Sequence, residues 1–234
     1  MPQARLIESF AIAPDVKHFI FDVPEVATLP YMAGQFVSLT REIGGKKIVR
    51  AYSTASAPDP ATNRFELCLN RVQDGKFSPF LFDLAPGDLV DMKGPLGNFV
   101  WRNPMPPEAI LVATGTGVAP YRGMVPEYLN NGGKNTITLI LGSRYEESLL
   151  YRAEWEALAA KYPNFHFLAT LTQPSENWTK YTGRVQAHVL ATLGDRRDGV
   201  DVYLCGMKAM VDDLRIQLKD LGLDKKQIIA EKYD

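Results

Sequence analysis

Asn103-Pro104-Met105-Pro106-Pro107 divides this chain into two kinds of sequence. Three prolines in four positions remove backbone donors and fix φ, so the stretch suits neither a helix interior nor a central strand. On its N-terminal side, short β-rich runs fall at residues 5–13, 18–22, 35–40, 48–53, 65–71 and 89–93. Turn chemistry separates them, including Pro14-Asp15, Gly44-Gly45, Asp74-Gly75 and Pro86-Gly87-Asp88. Six short strands with frequent turns predict a small antiparallel six-stranded β-barrel. One short helix is expected within it at 79–84, with Ser78 as its cap and Pro79 at the first helical position. On the C-terminal side the rhythm changes. Apolar strands at 109–114, 136–142, 165–172 and 202–205 alternate with helices at 120–130, 149–162, 184–193 and 209–221. That alternation predicts an α/β domain, a parallel sheet covered on both faces. The expected domains are 1–103 and 104–234.

The bulk composition fits two ordinary domains. The chain has 234 residues, 46% hydrophobic and 23% charged. A net charge of −1 argues against a nucleic-acid partner engaged through the whole surface. Cys68 and Cys205 are far apart and make no CxxC pair, which excludes a four-cysteine iron–sulfur site within these residues. His18, His166 and His188 are scattered and read as surface or packing residues, so no metal is expected. No basic region followed by an apolar run opens the sequence, and no apolar stretch approaches the ~20 residues that span a bilayer. A cytoplasmic protein with reduced thiols and no membrane partner is the expectation.

Three segments carry chemistry. In Arg50-Ala51-Tyr52-Ser53, strand alternation sends Arg50 and Tyr52 to one face and Ala51 and Ser53 to the other. A guanidinium for a phosphate, a flat ring for an isoalloxazine and a hydroxyl for its reactive edge suit a flavin, although four such residues also make an ordinary strand. Gly75-Lys76-Phe77-Ser78 adds a glycine that lets the backbone approach a phosphate, just before the predicted short helix. Ser78 could equally be a plain cap. Gly115-Thr116-Gly117-Val118-Ala119-Pro120 follows the first apolar strand and opens a helix, where open α/β sheets bind ligands. Pro120 stands where a full dinucleotide fingerprint has its third glycine, and no Gly-Lys-Ser/Thr follows to make a Walker loop. Cys205 sits at the end of the last apolar strand with no base visible beside it, so covalent catalysis is not expected. Tyr233, an aromatic so near the end of the sequence, suggests a tail tied down on something flat.

Taken in order, these motifs resemble the ferredoxin–NADP reductase family over nearly the whole chain. Arg50 to Ser53 is similar to its flavin motif, and Gly75 to Ser78 to its pyrophosphate motif. Pro86-Gly87-Asp88 and Gly94-Pro95-Leu96-Gly97-Asn98-Phe99 resemble its barrel-closing segments. Gly115 to Pro120 resembles its nicotinamide-side loop, and Cys205-Gly206 its late cysteine–glycine pair. The run around Arg50 and Asp74-Gly75-Lys76 looks most like the bacterial ferredoxin/flavodoxin reductases. The resemblance implies a six-stranded barrel (1–103) holding FAD and a five-stranded parallel domain (104–234) holding NADP(H) or NAD(H). By position it implies that Arg50, Ala51, Tyr52, Ser53, Gly75, Lys76, Phe77 and Ser78 hold the flavin, with Ser53 near N5. Gly115, Thr116, Gly117 and Cys205 would line the nicotinamide slot, Glu231 would lie near the reacting atoms, and Tyr233 would cover the second flavin face.

Two departures shape the expectation. A close subgroup ends in Glu-X-Tyr-Trp, whereas here Tyr233 is followed by Asp234, which leaves FMN as an alternative to FAD. Where NADP-specific members carry Ser-Arg, this chain has Thr172-Gln173; Arg144, Lys180 and Arg184 could supply the cations instead, and NADP is favoured over NAD. The implied activity is hydride exchange between NAD(P)H and flavin, with single electrons passed to or from a ferredoxin- or flavodoxin-type protein. The alternatives are an oxygenase reductase component, a free-flavin diaphorase, and a non-catalytic electron-transfer subunit.

Overall fold

The structure, a computed structural model, describes residues 2–233. The N-terminal part forms β1 (Gln3–Ala13), β2 (Val16–Asp22), β3 (Phe36–Ile43), β4 (Lys46–Ser53), β5 (Arg64–Asn70), α1 (Phe77–Phe82) and β6 (Leu89–Leu96). The strands make one antiparallel sheet in the order β4-β3-β6-β1-β2-β5. Gly44 and Gly45, both at positive φ, turn β3 into β4 at no Cβ cost. A bridge from Thr54 to Leu67 then closes the sheet into the expected barrel, supported by a 2.7 Å bond from the Ala55 amide to the Glu66 carbonyl. Closure pairs the free edges of β4 and β5 where they would otherwise be exposed. Inward residues alternate along the strands. Phe19, Phe21, Leu39, Phe65, Leu67 and Met92 are fully buried, and α1 adds Phe77 and Leu81 to the same core. Each such side chain stabilises the fold by roughly 1.5–3 kcal/mol.

The short helix sits two residues earlier than the expected 79–84. Lys76 is at its N-cap, without a side-chain cap bond, and Ser78 lies inside the first turn. The reason is local. Residues 72–75 form a turn closed by the Gly75 amide on the Val72 carbonyl at 2.9 Å. The turn brings the Val72 amide to Ser78 Oγ, also at 2.9 Å, so the hydroxyl accepts a bond from outside the helix rather than capping it.

The C-terminal part forms β7 (Glu108–Thr114), α2 (Ala119–Asn130), β8 (Thr136–Ser143), α3 (Arg152–Lys161), β9 (Phe165–Leu171), β10 (Tyr181–Thr182), α4 (Val185–Leu193), β11 (Val200–Met207), α5 (Lys208–Asp220) and β12 (Ile228–Tyr233). The strands form a parallel sheet in the order β10-β9-β8-β7-β11-β12. It has six strands where five were implied: β10, only two residues long, is the addition at one edge. At the other edge β12 is the tied-down tail, paired with β11 from Val202↔Ile228 to Met207↔Tyr233. Residues 109–113 and 200–206 are buried without a break, as a sheet covered on both faces requires. Val185, Val189 and Leu193 of α4 and Val211, Leu214 and Leu218 of α5 bury helical stripes in one core. Trp155 of α3 packs in another place, against Phe165 and Phe167. The α3 helix begins at Arg152 rather than near 149, because Tyr151 adopts a left-handed φ of 57° that ends the preceding turn.

Contacts gather the chain into two units. One contains the residues up to Val100 together with Ala119–Tyr128; the other contains Trp101–Val118 and the residues from Leu129 onward. Most of α2 therefore belongs, by its packing, with the barrel strands. No helix among the described residues is long and apolar enough to cross a membrane.

Candidate active site

In the barrel unit the two flavin-type motifs meet. The Tyr52 ring stacks on the Phe77 ring with centroids 6.3 Å apart and planes 29° from parallel. Arg50-Ala51-Tyr52-Ser53 and Gly75-Lys76-Phe77-Ser78 are thus neighbours in space although a whole strand separates them in sequence. Burial rises along the first motif: Arg50 and Ala51 are exposed, Tyr52 is half-buried and Ser53 is buried. This is not the expected clean alternation. The cause is that β4 runs from an open edge into the barrel closure at Thr54. The Arg50 guanidinium donates to the Val49 carbonyl at 2.8 Å, using one of its donors and leaving others for an anion. Burial pushes the Tyr52 hydroxyl up to about 12, with Arg50 pulling it down, so the phenol stays protonated and able to donate.

Gly75 is closely packed: a Cβ there would stand 3.0 Å from the Val72 Cβ, so Val72 would have to give by a few tenths of an ångström. Lys76 is exposed beside it. Ser78 Oγ accepts from the Val72 amide, which keeps its own proton as a donor for a phosphate oxygen. Two exposed cations, a close backbone and two hydroxyl donors fit the phosphate and ring of a flavin nucleotide.

In the second unit the sheet order reverses between β7 and β11, with β8 and β9 on one side and β12 on the other. Ligands of open α/β sheets bind at the carboxyl ends of the strands at such a point. Gly115, Thr116 and Gly117 lie there in a 3₁₀ turn directly after β7. Gly117 is forced: a Cβ would fall 2.3 Å from the Cys205 carbonyl oxygen. Gly206, at φ 138°, likewise has Thr114 Oγ1 where its Cβ would be, and the Met207 amide bonds that oxygen at 3.3 Å. These glycines press the two strand ends together and bring the loop against Cys205.

Strand β12 delivers the tail residues to the same edge, Glu231 opposite Cys205 and Tyr233 opposite Met207. The Cys205 thiol is buried. Burial pushes its ionisation well above the ordinary thiol range; a hydrogen bond with the Tyr233 side chain opposes this and the Glu231 charge adds to it. The surroundings of Cys205 therefore favour the neutral thiol. Asp234, the departure noted at the tail, lies outside the described residues.

The exposed Arg144 and Arg184 sit further along the same edge. The Arg144 carbonyl accepts from the Gln173 amide at 2.9 Å, and the Gly183 amide donates to Leu171 at 2.8 Å, so both arginines flank the end of β9. Lys180, unlike them, is paired with a carboxylate. Its Nζ is 2.6 Å from Glu156, which also takes Arg152. Sequence reasoning also missed Trp178, whose ring lies under the Arg152 guanidinium and whose indole donates to the Tyr181 carbonyl. Its only signal was a lone tryptophan in a polar loop.

Two family models match the chain. The family described as Oxidoreductase FAD-binding domain matches residues 3–101, and that described as Oxidoreductase NAD-binding domain matches residues 111–215. Ferredoxin--NADP reductase B of Sorangium cellulosum (strain So ce56) is 35% identical, covering 99% of this chain and 97% of its own length. This chain belongs to the ferredoxin–NADP reductase family. As a member of it, the protein is an oxidoreductase that binds FAD and a nicotinamide nucleotide. The family includes other outlets: NADH-cytochrome b5 reductase 1 of Laccaria bicolor is 33% identical over 95% of this chain and 74% of its own length. The crystal structure of the Amycolatopsis cytochrome P450 reductase GcoB superposes with a TM-score of 0.86 at 28% identity, over 99% of this chain and 69% of that one.

Proposed function

We propose that this reductase draws electrons from NADPH in preference to NADH and exchanges them with a small ferredoxin- or flavodoxin-type protein. The bound cofactors supply the redox chemistry, a hydride exchanged between nicotinamide C4 and flavin N5 and single electrons passed outward. Residues 1–103 carry the flavin role and 104–234 the nicotinamide role. Arg50, Lys76 and Ser78 bind flavin phosphate, with Ala51, Gly75 and Phe77 shaping the backbone approach. Tyr52 packs along the ring, and Ser53 donates at its reactive edge. Gly115, Thr116 and Gly117 receive the nicotinamide nucleotide, with Cys205 lining its slot and Glu231 near the reacting atoms. Arg144 and Arg184 hold the 2′-phosphate.

The meeting of Tyr52 with Phe77 carries the reading, because it unites two motifs that are each weak alone. NADP is favoured because Arg144 and Arg184 flank the end of β9 and have no carboxylate partner among the described residues. The likeness to a cytochrome P450 reductase supports the oxygenase-reductase outlet as the second reading.

Purified protein is expected to be yellow and to bleach on anaerobic addition of NADPH. The ratio of kcat/KM for NADPH to that for NADH should exceed one and collapse in the Arg144→Ala/Arg184→Ala variant through loss with NADPH alone. Equal losses with both nucleotides would displace the phosphate site. Ferredoxin, flavodoxin, cytochrome c and free FMN compared as acceptors then separate the outlets.

A further inference from the structure

The segment directly after the flavin motif is clamped by side chains that neither motif contains. Arg122, on α2, donates through Nη1 to the Ala55 carbonyl at 2.8 Å and to Glu66 Oε2 at 2.5 Å. The same Glu66 oxygen lies 3.2 Å from Nε2 of the buried His18. Glu66 is part of the segment's own pairing: its carbonyl accepts from the Ala55 amide, and its amide donates to Ser56 Oγ at 3.0 Å. Tyr31 completes the frame, with its hydroxyl 2.7 Å from Ser56 Oγ and 2.9 Å from the Ala57 carbonyl. The backbones are equally constrained. A Cβ on Gly123, the neighbour of Arg122, would stand 2.4 Å from the Ser56 carbonyl oxygen.

We propose that Arg122 is a positioning residue for the flavin: through its hold on Ala55 and Glu66 it fixes the strand end that aims Ser53 and Tyr52. The inference rests on the reading that those two residues meet the flavin. Ser53 is held on its other side by register with Phe36, and Thr54 by the bridge to Leu67 and by the Gln35 carbonyl. The remaining freedom of the strand end lies in residues 55–57, and this is where Arg122 and Tyr31 act. Ala55 is fully buried, so its carbonyl has no water to turn to if Arg122 is lost. One nitrogen shared between a carbonyl and a charged carboxylate, on a planar side chain, sets both distance and direction; a lysine would supply charge without the fixed fork. A functional group loosened by such a loss misses its productive geometry even when the fold survives.

The test uses FAD-loaded Arg122→Met, Arg122→Lys, Glu66→Gln and Ser53→Ala proteins. The readouts are the visible flavin spectrum, the FAD dissociation constant, kcat and KM for NADPH with ferricyanide, and the urea midpoint. Arg122→Met should shift the flavin bands, weaken FAD about tenfold and lower kcat about tenfold, while KM for NADPH stays within about twofold. Arg122→Lys should fall between it and the parent. If Arg122→Met does not fold, Arg122→Lys and Glu66→Gln carry the same criteria. Variants with unaltered spectrum, FAD affinity and kcat would overturn the proposal, even with a lowered urea midpoint, because the contact would then be structural only. Ser53→Ala separates the two layers. If it impairs kcat and the Arg122 variants do not, positioning falls and the flavin reading stands. If it does not impair kcat, the Ser53 reading falls and positioning through it falls too.

Discussion

At the residue scale, what shapes the nucleotide edge is an absence of side chain. Gly117 has a carbonyl where its Cβ would be, so Gly117→Ala must move β11 or the loop. Such overpacking costs about 1–3 kcal/mol, and KM for the nicotinamide nucleotide should rise while FAD content is unaffected. Both cysteines are buried, and Cys205 is held protonated by its surroundings. Native protein at pH 8 should therefore react with a thiol reagent only on the timescale of unfolding; a fast stoichiometric thiol would contradict the packing. Glu66 sets a pH dependence. Burial raises its carboxyl, but the bonds from His18 and Arg122 together outweigh this and hold it below the usual carboxylate range. A depressed carboxylate contributes stability above its unfolded pKa, about 4.3, and the contribution is lost as pH falls through the folded value. Urea midpoints between pH 7 and pH 3 should fall less steeply in Glu66→Gln than in the parent. Of these three residues, sequence singled out Gly117 and Cys205 by motif. It missed Glu66, because a single carboxylate in a strand carries no pattern until its partners, 48 residues before and 56 after, arrive beside it.

At the element scale, strand β11 joins the two ends of the second unit. Its carboxyl end carries Cys205, and its amino end carries Asp201, fully buried and paired with Arg102 at 2.7 Å. Arg102 also donates its amide to the Tyr203 hydroxyl, while Trp101 packs edge-on against the Tyr203 ring. The residues just before the proline stretch are thereby fixed to β11. Asp201 Oδ2 has no hydrogen-bond partner among the described residues. Arg102→Met would leave a buried carboxylate uncompensated, at a cost of about 3 kcal/mol by urea unfolding, and adding Asp201→Asn should restore most of it. The elements themselves were largely legible. Apolar runs of strand length, glycine-rich turns and the proline stretch carry period and punctuation locally. The helix starts were less so, since the α1 start depends on the 72–75 turn and the α3 start on one left-handed residue.

At the scale of the whole molecule, two ligand classes should stabilise different parts of the chain. FAD at 100 times its Kd adds about 2.7 kcal/mol to the state that binds it, and thermal unfolding should shift accordingly. Hydrogen exchange localises the effect: FAD should protect amides at 50–53 and 75–78, and NADP⁺ those at 115–117 and 205–207. Exchanged patterns would invert the division of labour. The sequence by itself determined the two architectures, because alternation, apolar runs and turn residues act through neighbours along the chain. Tertiary structure decided what depends on long-range approach. It joined Tyr52 to Phe77, set Gly117 against Cys205 and brought β12 onto the sheet edge. It also gathered most of α2 with the barrel strands, where Arg122 reaches Ala55 and Glu66. Linear order carries no information on such approaches, because the energy that selects them is burial and pairing between segments, and that is defined only once the chain has packed.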